Sequence, residues 1–323
     1  MKILVTGGAG YIGSAAAEAL LAAGHEVAVY DSLVTGYREA VPLGAKLIQA
    51  DLADSTVLAQ AFANTKFDAV MHFAAFIEAG ESMKDPAKFL RNNLINSLLL
   101  IEAAVKAGVP RFVLSSTAAV YQSSDEPLSE ESPLGPTNTY GYTKFAIEQS
   151  LDWYNKIHGL RFAALRYFNA AGALPGRGEA HQPESHLIPR VLKVAQGQAE
   201  VHIYGSDYPT PDGTCIRDYI HIADLVSAHL QALSALDERE RMIYNLGNGK
   251  GYSVKEVIET ARSVTGKAIP ALEHPRREGD SARLVASSDK IRRELGWAPQ
   301  HPALKDIIQS AWEWHQSHPN GYR

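Results

Sequence analysis

Tyr140 and Lys144 stand four residues apart in Tyr140-Gly141-Tyr142-Thr143-Lys144. On a helix that spacing puts both side chains on one face. An ammonium beside a phenol favours the phenolate and draws down a pKa that starts near ~10. The chemistry to expect is a general base usable near neutral pH. The spacing alone is weak, since a solvated helix face would show it equally. A strand-end hydroxyl gives it weight. Arg111-Phe112-Val113-Leu114 reads as a strand that delivers Ser115, Ser116 and Thr117 at its C-terminal edge, the edge where open parallel sheets bind ligands.

A second constellation opens the chain. Lys2-Ile3-Leu4-Val5-Thr6 is a short apolar run of the kind a buried parallel strand needs. It runs into Gly7-Gly8-Ala9-Gly10-Tyr11-Ile12-Gly13, then a helical pattern through Leu20 and Leu21 to Gly24. Glycines Gly7, Gly10 and Gly13 allow a tight turn, close approach to a pyrophosphate, and close helix-to-strand packing. The phosphate would rest on free amides at the helix N-terminus. A second strand, Val27 to Tyr30, ends at Asp31. An acid there bonds the adenosine ribose and repels a 2′-phosphate. No Arg follows until Arg38, so the cofactor expected is NAD rather than NADP.

Further elements must position these groups. Strands are expected over 46–50, ending at Asp51-Leu52, and over 69–72, feeding Phe73-Ala74-Ala75. A helix is expected over 55–63, and a long one over 84–107, with Asn92 and Asn93 on its solvated surface. Another runs from Tyr140 to about His158. A sixth strand, 162–166, ends at Tyr167-Phe168-Asn169. This alternation predicts an α/β fold, a Rossmann-type doubly wound parallel sheet. From about 170 to 181 Gly, Pro and Ala replace the alternation. The boundary expected there separates a dinucleotide-binding domain, 1–169, from a smaller, discontinuous, mixed α/β substrate lobe, 170–323. A segment near 214–235 is expected to return to the first domain. The second lobe carries His186, Arg190, Arg217, Arg276 and Arg277. Two or three converging Arg would suit a diphosphate, although each alone reads as a surface residue.

Composition narrows the function classes. The chain has 323 residues, 46% hydrophobic and 21% charged, with net charge −5, as expected of a globular enzyme. No basic block points to nucleic acid or an anionic membrane. No apolar run approaches the ~18 residues of a membrane span. The chain enters a strand at once, so no signal peptide is expected. A single cysteine, Cys215, fits a reducing cytoplasm. No paired Cys or His-x-x-Glu-His spacing occurs, so no metal is expected.

With the glycine loop, Asp31, Thr117, Tyr140 and Lys144 in place, the chain resembles the extended short-chain dehydrogenase/reductase family, and within it the UDP-glucose 4-epimerases. The resemblance covers essentially the whole chain. It is most specific at Tyr167-Phe168-Asn169, Tyr208 to Thr214, Arg217 to His221, Tyr244 to Gly247, and Arg276-Arg277-Glu278-Gly279-Asp280. It implies a fixed NAD, a UDP-sugar substrate and a homodimer. Tyr140 would exchange a proton with the sugar 4-hydroxyl while hydride passes between C4 and the nicotinamide. Lys144 would tune Tyr140 and hold the nicotinamide ribose, and Thr117 would bond the reacting oxygen. By the same resemblance Tyr11, Ile12, Asp31, Ser32, Asp51, Leu52, Phe73, Ala74, Ala75, Asn93, Ser115 and Phe168 surround NAD. Asn169, His186, Leu187, Ile203, Tyr204, Arg217, Arg277 and Asp280 would hold the nucleotide diphosphate, and Leu284 would gate the sugar pocket. Ile77 stands where many relatives carry Lys, and His186 where many carry Asn. A 4,6-dehydratase would need an acid pair directly after Thr117, where this chain has Ala118 and Ala119. A decarboxylase or a pentose 4-epimerase is a related alternative, and a non-catalytic NAD sensor a distant one.

Overall fold

A computed structural model of the chain describes residues 1–124, 126–277 and 280–322. The first elements are β1 (Lys2–Thr6), α1 (Tyr11–Ala22), β2 (Glu26–Asp31), β3 (Lys46–Gln49), α2 (Ser55–Asn64) and β4 (Ala69–His72). They continue with α3 (Ala79–Ser82), α4 (Pro86–Phe89), α5 (Asn96–Lys106), β5 (Arg111–Thr117), α6 (Thr139–His158) and β6 (Arg161–Tyr167). Next are β7 (Asn169–Ala171), α7 (Leu187–Ala195), β8 (Val201–Tyr204), β9 (Ile216–His221), α8 (Ile222–Ala235) and β10 (Arg241–Leu246). The last are β11 (Gly251–Ser253), α9 (Val254–Thr265), β12 (Ala271–His274), β13 (Arg283–Leu284), α10 (Asp289–Leu295) and α11 (Leu304–Ser317).

The central sheet has seven strands in the order β3-β2-β1-β4-β5-β6-β10. Thr6 lies level with Tyr30 on one side and His72 on the other, so the strand order reverses at the end of β1. That reversal is the expected binding crevice of a doubly wound sheet. The strands read as continuous apolar runs because helices cover both faces. Leu4, Val70, Phe112, Leu114, Ile147 and Phe162 form the centre of this core.

The chain divides into two compact units. The first comprises 1–122, 133–166 and 226–244; the second comprises 123–132, 167–225 and 245–323. The returning segment therefore starts at Val226, later than the expected 214–235. Strand β9 instead centres a small sheet of the second unit, in the order β11-β9-β13 with β7 also paired to β9. Strands β8 and β12 form a separate parallel pair. Ile188, Val191, Val257, Ile307 and Trp312 belong to the second core.

The helix expected over 84–107 is not one α-helix. Residues Leu90–Ile95 form a π-helical stretch between α4 and α5. A π turn shifts the backbone bonding by one residue, and here it turns Asn93 fully inward.

Candidate active site

Helix α6 starts where its first turn can reach the end of β5. The side chain of Asn138 caps it, accepting from Gly141 N at 2.8 Å. The Ser82 hydroxyl on α3 accepts from Tyr140 N at 3.1 Å. A Cβ at position 141 would overlap the Ala119 carbonyl, so glycine there permits the approach. Tyr140 and Thr117 then share a side-chain hydrogen bond. Thr117 also accepts from Ala119 N at 3.2 Å.

Lys144 is buried and donates from Nζ to the Ser115 carbonyl at 2.8 Å. Burial lowers its pKa to about 8, while the charge of Glu148 acts upward. Tyr140 departs from expectation. Its pKa is raised to about 12, chiefly by burial and further by the charge of Glu78, with the Thr117 bond acting the other way. The reason is geometric: the Lys144 ammonium is turned to the Ser115 carbonyl, and desolvation dominates at the phenol. The structure brings Thr117, Tyr140, Lys144 and Ser115 together, but Lys144 by itself does not draw the phenol towards neutrality.

The glycine loop has the form a pyrophosphate requires. Gly10 takes the N-cap position of α1 without a side chain to cap it, so the helix N-terminus presents its first-turn backbone to a ligand. A Cβ on Gly13 would overlap the Gly7 carbonyl. At the end of β2, Asp31 accepts from Ala9 N at 2.9 Å and Leu33 N at 2.8 Å. Burial pushes its carboxyl up, against these two bonds. Ser32 is half-buried beside it, and Asp51 is exposed next to buried Leu52. Phe73, Ala74 and Ala75 are half-buried directly after β4. These residues fit a dinucleotide, with an acid at the ribose position and small side chains along the approach.

Asn93 does not lie on a solvated surface. Its Oδ1 accepts from Phe76 N and its Nδ2 donates to Phe76 O, both at 2.9 Å. Nδ2 also reaches the Thr143 hydroxyl on α6 at 3.4 Å. A buried chain of hydroxyls and imidazole supports it. The Ser97 hydroxyl donates to the Asn93 carbonyl, so His72 Nε2, 2.7 Å from Ser97 Oγ, must carry a proton and donate. His72 Nδ1 therefore accepts from the Thr6 hydroxyl at 2.6 Å. Burial and the charge of Lys144 lower the His72 pKa to about 3. Residue types alone gave no sign of His72 or Ser97; an Asn and a His at neighbouring strand and helix ends were the available hint.

The second unit gathers the cationic residues. Arg277 lies 3.7 Å over the Tyr204 ring. Tyr204 is shifted down by a hydrogen bond from Arg277, with a further one from Arg190. Arg217 donates to Ser281 O at 3.0 Å and approaches Asp280 at 3.4 Å, and Leu284 pairs beside it in register. Asn169 donates to Asp218 O at 3.1 Å. Phe168 is half-buried on the stretch just before it. Leu187 opens α7, and Ile203 is packed in the second core. His186 is held by Glu184 Oε1, through its backbone N at 2.8 Å and its Nδ1 at 3.0 Å. Glu278 and Gly279 lie outside the described residues. Arg190, one of the cations expected to converge, sits one helical turn after Leu187. One group was missed as a site candidate. The buried Tyr208 hydroxyl has no hydrogen-bond partner among the described residues, and Arg276 lies 4.2 Å over its ring.

Among the described residues, no group of three or more His, Cys, Asp and Glu could hold a metal ion, and no helix is long and apolar enough to cross a membrane.

Residues 3–247 match the model of the NAD dependent epimerase/dehydratase family. The chain is 50% identical over 324 residues to a UDP-glucose 4-epimerase of Streptomyces lividans, covering 99% of this chain and 98% of that one. A crystal structure of a UDP-glucose 4-epimerase aligns over 100% of both chains with TM-score 0.97 and 49% identity. The UDP-glucose 4-epimerase of Bifidobacterium longum, crystallised with NAD+ and UDP, aligns with TM-score 0.95 and 37% identity, covering 99% of this chain and 100% of that one. The chain belongs to the NAD-dependent epimerase/dehydratase family.

Proposed function

We propose that the protein interconverts UDP-glucose and UDP-galactose by reversible oxidation at C4 of the sugar, with NAD as its cofactor. The observation that carries this is the joining of Thr117, Tyr140 and Lys144 at the end of β5, in the unit that also holds the Gly7–Gly13 loop and Asp31. Relatives of this name at 50% identity support the choice of reaction.

The first unit is then the NAD-binding domain. The α1 amides take the pyrophosphate, Asp31 the adenosine ribose, and the Phe73–Ala75 stretch and Asn93 border the cofactor. NAD, when bound, supplies a hydride acceptor and a positively charged ring. Tyr140 takes the proton from the 4-hydroxyl and later returns one to the oxygen. Thr117 holds that oxygen through its hydroxyl. Lys144 contributes a positive charge that favours the phenolate, against the burial and the Glu78 charge that favour the phenol. The second unit is the UDP-sugar lobe. Arg190, Arg217 and Arg277 supply charge for the diphosphate, and Tyr204 supplies an aromatic face.

The protein works as a homodimer in the cytoplasm. Tyr142, Trp153 and Ile157 share one face of α6 and are 49%, 63% and 67% exposed. An apolar stripe of that kind suits a self-complementary contact. A lone, buried Cys215 suits a reducing compartment.

The test is to incubate the protein with UDP-galactose, with and without added NAD, and separate the products. UDP-glucose should form. Its absence in both samples would overturn the proposal.

A further inference from the structure

Tyr140, Lys144 and Glu148 occupy successive i, i+4 positions on α6, so the three stand in a row on one face. Each meets a different residue of the β5 end. Tyr140 bonds Thr117, Lys144 bonds the Ser115 carbonyl, and Glu148 accepts from the Ser116 hydroxyl. Behind this row lies a buried ion pair. Arg166 on β6 donates Nη2 to Glu148 Oε2 at 2.6 Å and Nε to Oε1 at 3.0 Å. Its Nη1 donates to the Tyr121 hydroxyl at 2.9 Å, and the guanidinium lies 5.0 Å from that ring. Glu148 is 1% and Arg166 2% exposed. A pair so thoroughly removed from water is a poor device for stability, since desolvation offsets the attraction. Its charges are also unscreened, so neighbours feel them.

The neighbour placed to feel them is Lys144. His72 approaches it from β4 and is neutral. The Ser115 carbonyl faces it from β5. Tyr140 and Glu148 flank it on α6, and Arg166 and Tyr121 stand behind Glu148. Of these, Glu148 brings the negative charge and Arg166 a positive one.

We infer that the Glu148–Arg166 pair is a positioning unit that sets the pH range of the reaction: Glu148 keeps Lys144 in its ammonium form against burial, and Arg166 limits that effect. The inference rests on reading Tyr140 and Lys144 as the catalytic pair. Burial does lower Lys144, and Glu148 does act upward on it.

The test reads the alkaline limb of kcat, where activity falls as Lys144 loses its proton. Glu148→Gln removes the anion and leaves a cation, so the limb should move to lower pH by roughly one unit. Arg166→Gln leaves the anion unopposed, so the limb should move to higher pH by a similar amount. The double variant removes both charges, and because Arg166 stands behind Glu148, its limb should fall between the native place and that of Glu148→Gln. A pair that only packs would lower kcat or the melting temperature without moving the limb in opposite directions. Limbs that stay fixed, or that move the same way in both single variants, would overturn the inference. If a single variant does not fold, the other is read against the double variant. The one charge it retains should hold its limb apart from that of the double, higher with Glu148 alone and lower with Arg166 alone, and coincident limbs contradict the charge-setting role. Lys144→Met separates this from the underlying reading: native-like turnover in that variant would remove the catalytic pair itself.

Discussion

Lys144 donates its ammonium to the Ser115 carbonyl at 2.8 Å, one turn along α6 from the Tyr140 that bonds Thr117. The helix is thereby tied to two nearby residues of β5, and the phenol is held over the strand end. Fixing both groups in one geometry is what general acid–base catalysis requires before any pKa is considered.

Tyr140→Phe should keep the fold, because the ring remains and only the hydroxyl is lost. Turnover of UDP-galactose should fall by roughly 10²–10⁴-fold, the usual worth of a positioned acid/base group. A variant that retains more than about a tenth of the native rate would exclude Tyr140 as the base.

His72 makes stability depend on pH. Its folded pKa is about 3 against an ordinary 6.5, so the unfolded chain binds the extra proton first. The contribution is fully present above pH 6.5 and is lost as pH falls towards 3. At pH 5 the loss should be roughly 2 kcal/mol. Urea denaturation at pH 7 and pH 5 measures it, and His72→Gln should flatten the difference. An equal pH dependence in both proteins would contradict the neutral, doubly bonded imidazole.

Both the fold and the chemical pair were largely legible in the residues. The short apolar runs at β1, β4 and β5, and the Tyr140–His158 helix, follow from local periodicity alone. The glycine loop and Asp31 needed only their places after β1 and β2. What was not legible depends on partners far away in sequence. Strands β11 and β13 are three and two residues long and exist because β9 lies between them. Asn93 looked like a surface residue because a π turn cannot be read from an α-helical period. Glu148 was hidden for a related reason, since its partner Arg166 is on another element. The protonation preference of Tyr140 was misjudged because desolvation depends on what surrounds the ring, which spacing does not reveal.

Asp31 should make the protein select NAD. Its carboxylate is fixed by Ala9 N and Leu33 N and would face a 2′-phosphate with like charge. Replacing Asp31 by Gly and adding a nearby Arg should move preference towards NADP. Equal binding of the two cofactors by the native protein, after stripping and reloading, would contradict this.

Leu284 should set tolerance for larger sugars. It sits in β13 beside Arg217, and leucine is shorter than tyrosine by most of a ring. Apolar walls discriminate weakly, at about 1–3 kcal/mol per methylene. UDP-galactose should be the better substrate, with measurable turnover of UDP-N-acetylgalactosamine. Leu284→Tyr should abolish the second activity and largely spare the first. No turnover of the N-acetyl sugar by the native protein at saturating concentration would refute the gate.

Transient oxidation at C4 is tested most directly by following the hydrogen on that carbon. UDP-galactose carrying deuterium at C4 is incubated with the native protein and NAD in ordinary water, and the recovered UDP-glucose is analysed by mass and by NMR. Deuterium should remain at C4 of the inverted sugar, because the same hydride leaves and returns without meeting solvent. UDP-glucose that has lost its label to water, or no UDP-glucose at all, would contradict reversible oxidation at C4.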